Sequence, residues 1–339
     1  MGELFIKLFI NDERELRSGW RALIFLLSFF TLLLLLKSTI FALGVFIPPI
    51  GRTLVQPTSG EGARSHAIVY FILDSGSNLA AVVIATVVCA RLLEHRSLSS
   101  VGYKLHHGWW RDFALGFILG IGALAVAIVI EYEASAIRLN ARWPGIGHAC
   151  LGFVLLFGMF TLAAAFEELF FRGFAFQALI HNIGPRWAML VAATIFGLAH
   201  LANPGPTLLS TANTILAGVW LSIAYLMTRS LWLSTALHCS WNLAMVLFFG
   251  LPVSGITTFA SLSWLAGQDI APVWLSGGNY GPEGGVAATV SLLLSTLIIW
   301  KGGLFTASEE MRQALRHGKA EPRFLSIMPP RPNPPRNNV

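Results

Sequence analysis

Apolar residues run through this chain in blocks of about twenty, the length of a helix that crosses the roughly 30 Å hydrocarbon core of a bilayer at 1.5 Å per residue. The blocks extend from Trp20 to Phe46, Ala67 to Leu92, Phe113 to Ile130, Cys150 to Phe171, Trp187 to Leu201, Thr207 to Met227, Leu231 to Gly250 and Val286 to Trp300. Helices satisfy their own backbone polar groups in lipid, so the pattern predicts an all-α polytopic membrane protein, a bundle of about eight transmembrane helices. The fifth block is short, and the first is long enough to tilt. Residues 1–19 mix apolar and charged groups and read as an interfacial segment before the transmembrane domain, 20–300. Residues 301–339 read as a basic, Pro-rich tail, disordered at its end.

Composition supports this picture. The 339 residues are 55% hydrophobic and 12% charged, with mean hydropathy +0.66; soluble domains carry about 25% charged residues. Basic side chains fix an expected orientation: Lys7, Arg14, Arg17 and Arg21, then Arg91, Arg96, Lys104 and Arg111, and the bases from Lys301 onward fall on one side, against Arg52, Arg64, Arg138 and Arg142 on the other. Lys and Arg concentrate in cytosolic loops, which puts both termini in the cytosol of an integral, multi-pass protein. The bacterial inner membrane is the expected location. The net charge of +6 calls for anionic lipid headgroups and not for nucleic acid. Lys37, toward the far end of the first span, is expected to snorkel to the surface there.

Polar residues inside the spans carry the chemistry. Glu167, Glu168 and Arg172 lie on the fourth helix, His200 at the end of the fifth, and His238 and Asn242 on the seventh. An ionised side chain at mid-bilayer costs roughly 2.5–3.5 kcal/mol on insertion scales, so such residues are seldom kept without a partner or a task. Counting 1.5 Å per residue from the cytosolic end of each helix puts Glu167 about 8 Å, His238 about 10 Å and His200 about 20 Å deep. His200 therefore needs a water-filled wedge or a tilted fifth helix to join the others.

Helical spacing divides the roles. Glu168 and Arg172 are at i and i+4 and can pair, which leaves Glu167, rotated by about 100°, to point into the bundle as a base. Phe196 shares a face with His200, and His238 with Asn242. One carboxylate, two imidazoles and an amide suit hydrolysis of a carbonyl compound, with a base for water and donors for the oxyanion. Two mechanisms stay open: Glu167, His200 and His238 could bind Zn²⁺ as a three-ligand site, or Glu167 could polarise water with no cofactor. The absence of an H-E-x-x-H pair and the place of Asn242 beside His238 favour the metal-free alternative.

Glu167-Glu168-Leu169-Phe170-Phe171-Arg172, Phe196-Gly197-Leu198-Ala199-His200 and His238-Cys239-Ser240-Trp241-Asn242, in this order on apolar helices, resemble the E-E-x-x-x-R, F-x-x-x-H and H-x-x-x-N motifs of the CPBP family of CAAX prenyl proteases and bacteriocin-processing enzymes. The resemblance covers about 150–250, with looser likeness in Arg17-Ser18-Gly19-Trp20-Arg21 and Tyr280-Gly281-Pro282-Glu283. It implies a catalytic core at 150–250 with a polar cavity open to the cytosol, and an intramembrane endopeptidase acting on a membrane-anchored or lipidated peptide. It further implies that Glu167 and His200 activate water, that His238 and Asn242 hold the oxyanion, and that Arg172 with Glu168 keeps the fourth helix in shape.

Other readings attach to single residues. A lone His in a span is more often a packing residue than a ligand or base. Asp74 and Asn78 at i and i+4 read as helix-to-helix hydrogen bonding. His106, His107 and His181 read as solvated loop residues, and Glu131 and Glu133 as interface carboxylates. The rival function is a non-hydrolytic immunity or scaffold protein, or a small proton-coupled transporter that uses Asp74 and Glu167.

Overall fold

The computed structural model describes residues 8–11, 16–47, 51 and 61–315. Most of the expected interfacial segment and the end of the tail lie outside this range. In chain order the elements are α1 Ser18–Phe46, α2 Glu61–Glu94, α3 Trp109–Glu133, β1 Ile137–Ala141, α4 Ile146–Arg172, α5 Phe174–Ala199, α6 Leu208–Thr228, α7 Leu231–Leu247, β2 Leu265–Asp269, α8 Val273–Ser276, α9 Val286–Lys301 and α10 Glu309–Leu315. Each apolar block of the sequence falls on one of these helices. Ser18–Phe46, Ser65–Glu94, Trp109–Glu133, Ile146–Ala202 and Leu208–Thr228 are long and apolar enough to cross a membrane, and Leu231–Leu247 and Val286–Lys301 are shorter apolar helices. The protein is an all-α, multi-pass membrane protein. Leu27, Leu34 and Leu35 of α1 remain exposed, as lipid-facing residues should.

Helix α7 is the axis of the bundle. Nearly all of its side chains are buried, and it packs against α3, α4 and α6. Close approach to α3 depends on Gly120, where a Cβ would lie 2.0 Å from Ser240 Oγ and 2.6 Å from the Leu237 carbonyl oxygen. Small residues let membrane helices meet backbone to backbone, because lipid supplies no hydrophobic drive to hold them together. Gly218 of α6 plays the same part against α5, with its would-be Cβ 2.7 Å from Ala193 Cα. One apolar core gathers around α3, α4, α6, α7 and α9. A second joins α1 and α2 to parts of α4 and α5.

A polar clamp ties the ends of three helices together. Arg21 of α1 donates to Glu94 of α2 at 2.9 Å, Arg96 donates to the other Glu94 oxygen at 2.9 Å, and Arg96 also donates to Gln177 of α5 at 2.9 Å.

Several local expectations are corrected. An antiparallel ribbon pairs β1 with β2, Ile137 opposite Asp269 through Ala141 opposite Leu265; five-residue strands between long helices are too short to show a period of two. His181 lies on a helical stretch that runs from Phe174 up to a break at Gly184 (φ 79°, ψ 164°), beyond which Pro185 opens the stretch that ends at Ala199. His106 and Glu131 are buried, at 2% and 1% exposure, so the neighbouring elements cover them. Lys37 turns to Asp74 of the next helix, Nζ to Oδ1 at 2.6 Å, since a carboxylate in a low-dielectric setting attracts it more strongly than distant headgroups.

Candidate functional site

The two cores meet at a cavity of about 570 Å³ whose walls include Glu167 and Phe171 of α4, Phe196 of α5, His200 just beyond it, His238 and Asn242 of α7, and Asp74 and Asn78 of α2. The structure thus brings Glu167, His200, His238 and Asn242 to one chamber. Helix α5 is broken at Gly184, just before Pro185. Proline removes the backbone N–H and its ring clashes with the preceding turn, so the helix must change direction there.

Glu168 and Arg172 are sealed off from this chamber, each with a side chain at 0% exposure. Arg172 donates from one nitrogen to Glu168 Oε1 at 3.1 Å and from another to the Gly218 carbonyl at 3.0 Å, and Nε reaches Ser222 Oγ at 3.4 Å. Its guanidinium also lies 4.6 Å from the centroid of the Phe196 ring. One arginine therefore braces α4, α5 and α6 together, of which the i, i+4 spacing anticipated only the pairing with Glu168.

Glu168 has a second partner that the spacing did not reveal: His238 Nδ1 donates to Glu168 Oε1 at 3.1 Å. A carboxylate only accepts, so the proton sits on Nδ1 and the ring is oriented with Nε2 toward Glu167, 3.9 Å from its Oε2. That Glu167 oxygen is buried and accepts no hydrogen bond among the described residues. His200 Nδ1 lies 2.8 Å from the Phe196 carbonyl, which assigns its proton to Nδ1 and leaves Nε2 of the neutral ring as an acceptor. Phe196 touches both imidazoles, with ring centroids at 4.6 Å from His200 and 6.0 Å from His238. The motif phenylalanine is a spacer between them.

Three more polar residues complete the chamber. Glu283 accepts from Trp241 Nε1 at 3.2 Å and from both the backbone N–H and the hydroxyl of Ser254 at 2.7 Å. Asn213 donates to the Glu283 and Gly285 carbonyls, both at 2.8 Å. Trp241 is the residue before Asn242 and meets the Trp220 ring at 5.8 Å, so Glu283 fixes the flank of the site. Burial, with Glu283 nearby, raises the Tyr280 phenol above its ordinary value and keeps it neutral. Glu283 was visible in sequence only as a looser likeness, and Asn213 gave no signal because its partners lie far along the chain. Asp74 and Asn78 hydrogen-bond at 3.0 Å, within one helix, and Asp74 is already paired with Lys37; this counts against Asp74 as a proton carrier.

Among the described residues, no three His, Cys, Asp or Glu side chains gather as a metal-holding set, although Glu167, His200 and His238 share the cavity.

Residues 149–244 match the family described as Type II CAAX prenyl endopeptidase Rce1-like. That stretch, less than a third of the chain, is similar to this family. It runs from the start of α4 almost to the end of α7 and contains all three motifs and the Glu168–Arg172 brace. No curated protein matches the chain. The match, together with the apolar helices, supports a membrane-embedded protease of CAAX type at family level.

Proposed function

We propose that the protein is an intramembrane endopeptidase that hydrolyses a peptide bond of a membrane-anchored or lipidated substrate, with Glu167 as the base and the cavity open to the cytosol. The observation that carries the reading is the buried Glu167 oxygen with no hydrogen bond among the described residues, facing an imidazole whose other nitrogen is already committed. A carboxylate so placed is poised to accept a proton from water. Glu167 takes that proton as the oxygen adds to the scissile carbonyl, and His200 Nε2 accepts a hydrogen bond from the same water. The oxyanion receives the Asn242 amide N–H and, when His238 carries its second proton, the Nε2–H. Glu167 then passes the proton to the leaving nitrogen, and the carbon–nitrogen bond breaks.

Asn242→Ala is expected to lower kcat by roughly 10²–10³ with little change in KM, the usual effect of removing one oxyanion donor. Asn242→Asp should be at least as damaging, because a carboxylate repels the developing charge. Single-turnover cleavage of one fixed peptide checks both, and an Asn242→Asp enzyme with near-normal turnover would remove this residue from the oxyanion site.

We further propose that the reaction needs no metal. Purified protein treated with a strong chelator should cleave a membrane-anchored peptide at its untreated rate, with zinc far below one equivalent by elemental analysis. Zinc at one equivalent, lost with activity and restored with it, would reverse this part of the proposal.

A further inference from the structure

The loop between α2 and α3 sends one side chain, Tyr103, in between two helices of the bundle. Gly102 precedes it at φ 139°, and a Cβ there would lie 2.6 Å from Leu231 Cγ, so a glycine is what lets the loop lie this close to the start of α7. Three hydrogen bonds keep it there. The Gly102 carbonyl accepts from the Leu231 N–H at 2.9 Å and from Ser230 Oγ at 3.3 Å, and the Lys104 carbonyl accepts from Trp232 Nε1 at 3.0 Å. The Tyr103 ring packs edge-on against Trp232, with 5.1 Å between centroids. Backbone and ring are thus both held.

The hydroxyl ends between α4 and α7. Tyr103 Oη is 2.6 Å from Thr235 Oγ1 of α7 and 3.4 Å from the Ala165 carbonyl of α4. A carbonyl only accepts, so the phenol donates to Ala165 and receives the Thr235 hydroxyl. Burial, with the charge of Glu168 nearby, raises the phenol above its ordinary value, which keeps it a neutral donor.

These two helices carry Glu167 and His238. Ala165 is two residues before Glu167 and Thr235 three before His238, about 3 and 4.5 Å by helical rise. The bond from His238 to Glu168, at 3.1 Å, is another polar tie between α4 and α7 at this level. One tie leaves the helices free to pivot about it, and a second removes that freedom. With both made, Glu167 Oε2 stands 3.9 Å from His238 Nε2. Tyr103 itself lies outside the cavity wall, so it acts on the site only through the helices it joins.

We propose that Tyr103 is a positioning residue of the reaction: through Thr235 and Ala165 it fixes α7 against α4 and so sets the approach of His238 to Glu167. The inference rests on the endopeptidase reading and adds a residue from a loop outside the three motifs and outside the chamber.

The test uses full-length protein and one membrane-anchored peptide, with kcat expressed per folded, monodisperse enzyme. Tyr103→Phe keeps the ring against Trp232 and removes only the hydroxyl. It is expected to lower kcat about tenfold at unchanged KM, inside the roughly 10²-fold that a 1 Å misplacement of reacting groups can cost. Thr235→Val removes the other hydroxyl and should lose as much, whereas Thr235→Ser keeps it and should retain most of the rate. When Tyr103→Phe and Thr235→Val are combined the losses should not multiply, because both act on one contact. A merely structural contact would lower the unfolding midpoint and leave kcat per folded enzyme at the wild-type value. That outcome, or a rise in KM at unchanged kcat, or losses that multiply, overturns the positioning role while leaving the endopeptidase intact. No cleavage by folded wild type overturns the endopeptidase reading, and the positioning role with it.

Discussion

Glu167→Gln is expected to abolish peptide cleavage to within the sensitivity of a single-turnover assay, a loss at the upper end of the 10²–10⁴ that general-base catalysis contributes. The amide fills the same volume and cannot take a proton from water. The fold should hold, because the Glu167 oxygen that faces His238 accepts no hydrogen bond among the described residues and the brace through α4 belongs to Glu168. Glu168→Gln should instead show itself in stability and yield. It weakens the contact with Arg172 and alters the one with His238, both at 3.1 Å. Thermal unfolding in detergent alongside cleavage separates the two. Equal loss of activity in both variants at wild-type stability would sink this division of labour.

Arg172→Met is expected to be the most destabilising single change in the bundle. Removing one partner of a buried ion pair costs about 3–5 kcal/mol, since the other charge is left without compensation. Here the loss extends to the Gly218 carbonyl of α6, which would keep only the Ser222 hydroxyl as a side-chain donor, and to the contact over the Phe196 ring. The variant should express poorly and unfold well below wild type. Lys at this position keeps the charge and loses the planar fork that serves Glu168, Gly218 and Ser222 together, so Arg172→Lys should fall between the two. Monodispersity and unfolding midpoint are the measurements. An Arg172→Met protein as stable as wild type would show that the brace is not needed.

The periodic and local features were legible in the chain. Apolar runs of bilayer length gave the helices, because a helix in lipid must supply its own hydrogen bonds and its length must match the membrane. The i, i+4 pair of Glu168 and Arg172 was legible because a helix brings such residues together whatever surrounds it. Motif order on successive helices pointed to Glu167, His200, His238 and Asn242, and these four do line one cavity.

What stayed hidden depends on contacts between residues far apart in sequence. Depth counting left His200 out of line, yet it lines the same cavity as Glu167 and His238. The bond from His238 to Glu168 joins residues 70 positions apart, and Lys37 meets Asp74 across 37. Buried His106 and Glu131 read as surface groups because burial is decided by the elements packed over them. The sequence by itself determined that this is a helical membrane protein with acid, imidazole and amide groups held within its spans. The tertiary structure decided which of those groups face one another, which carboxylate is braced and which lines the cavity, because helix packing sets the rotation and crossing of each span, and no local pattern records it.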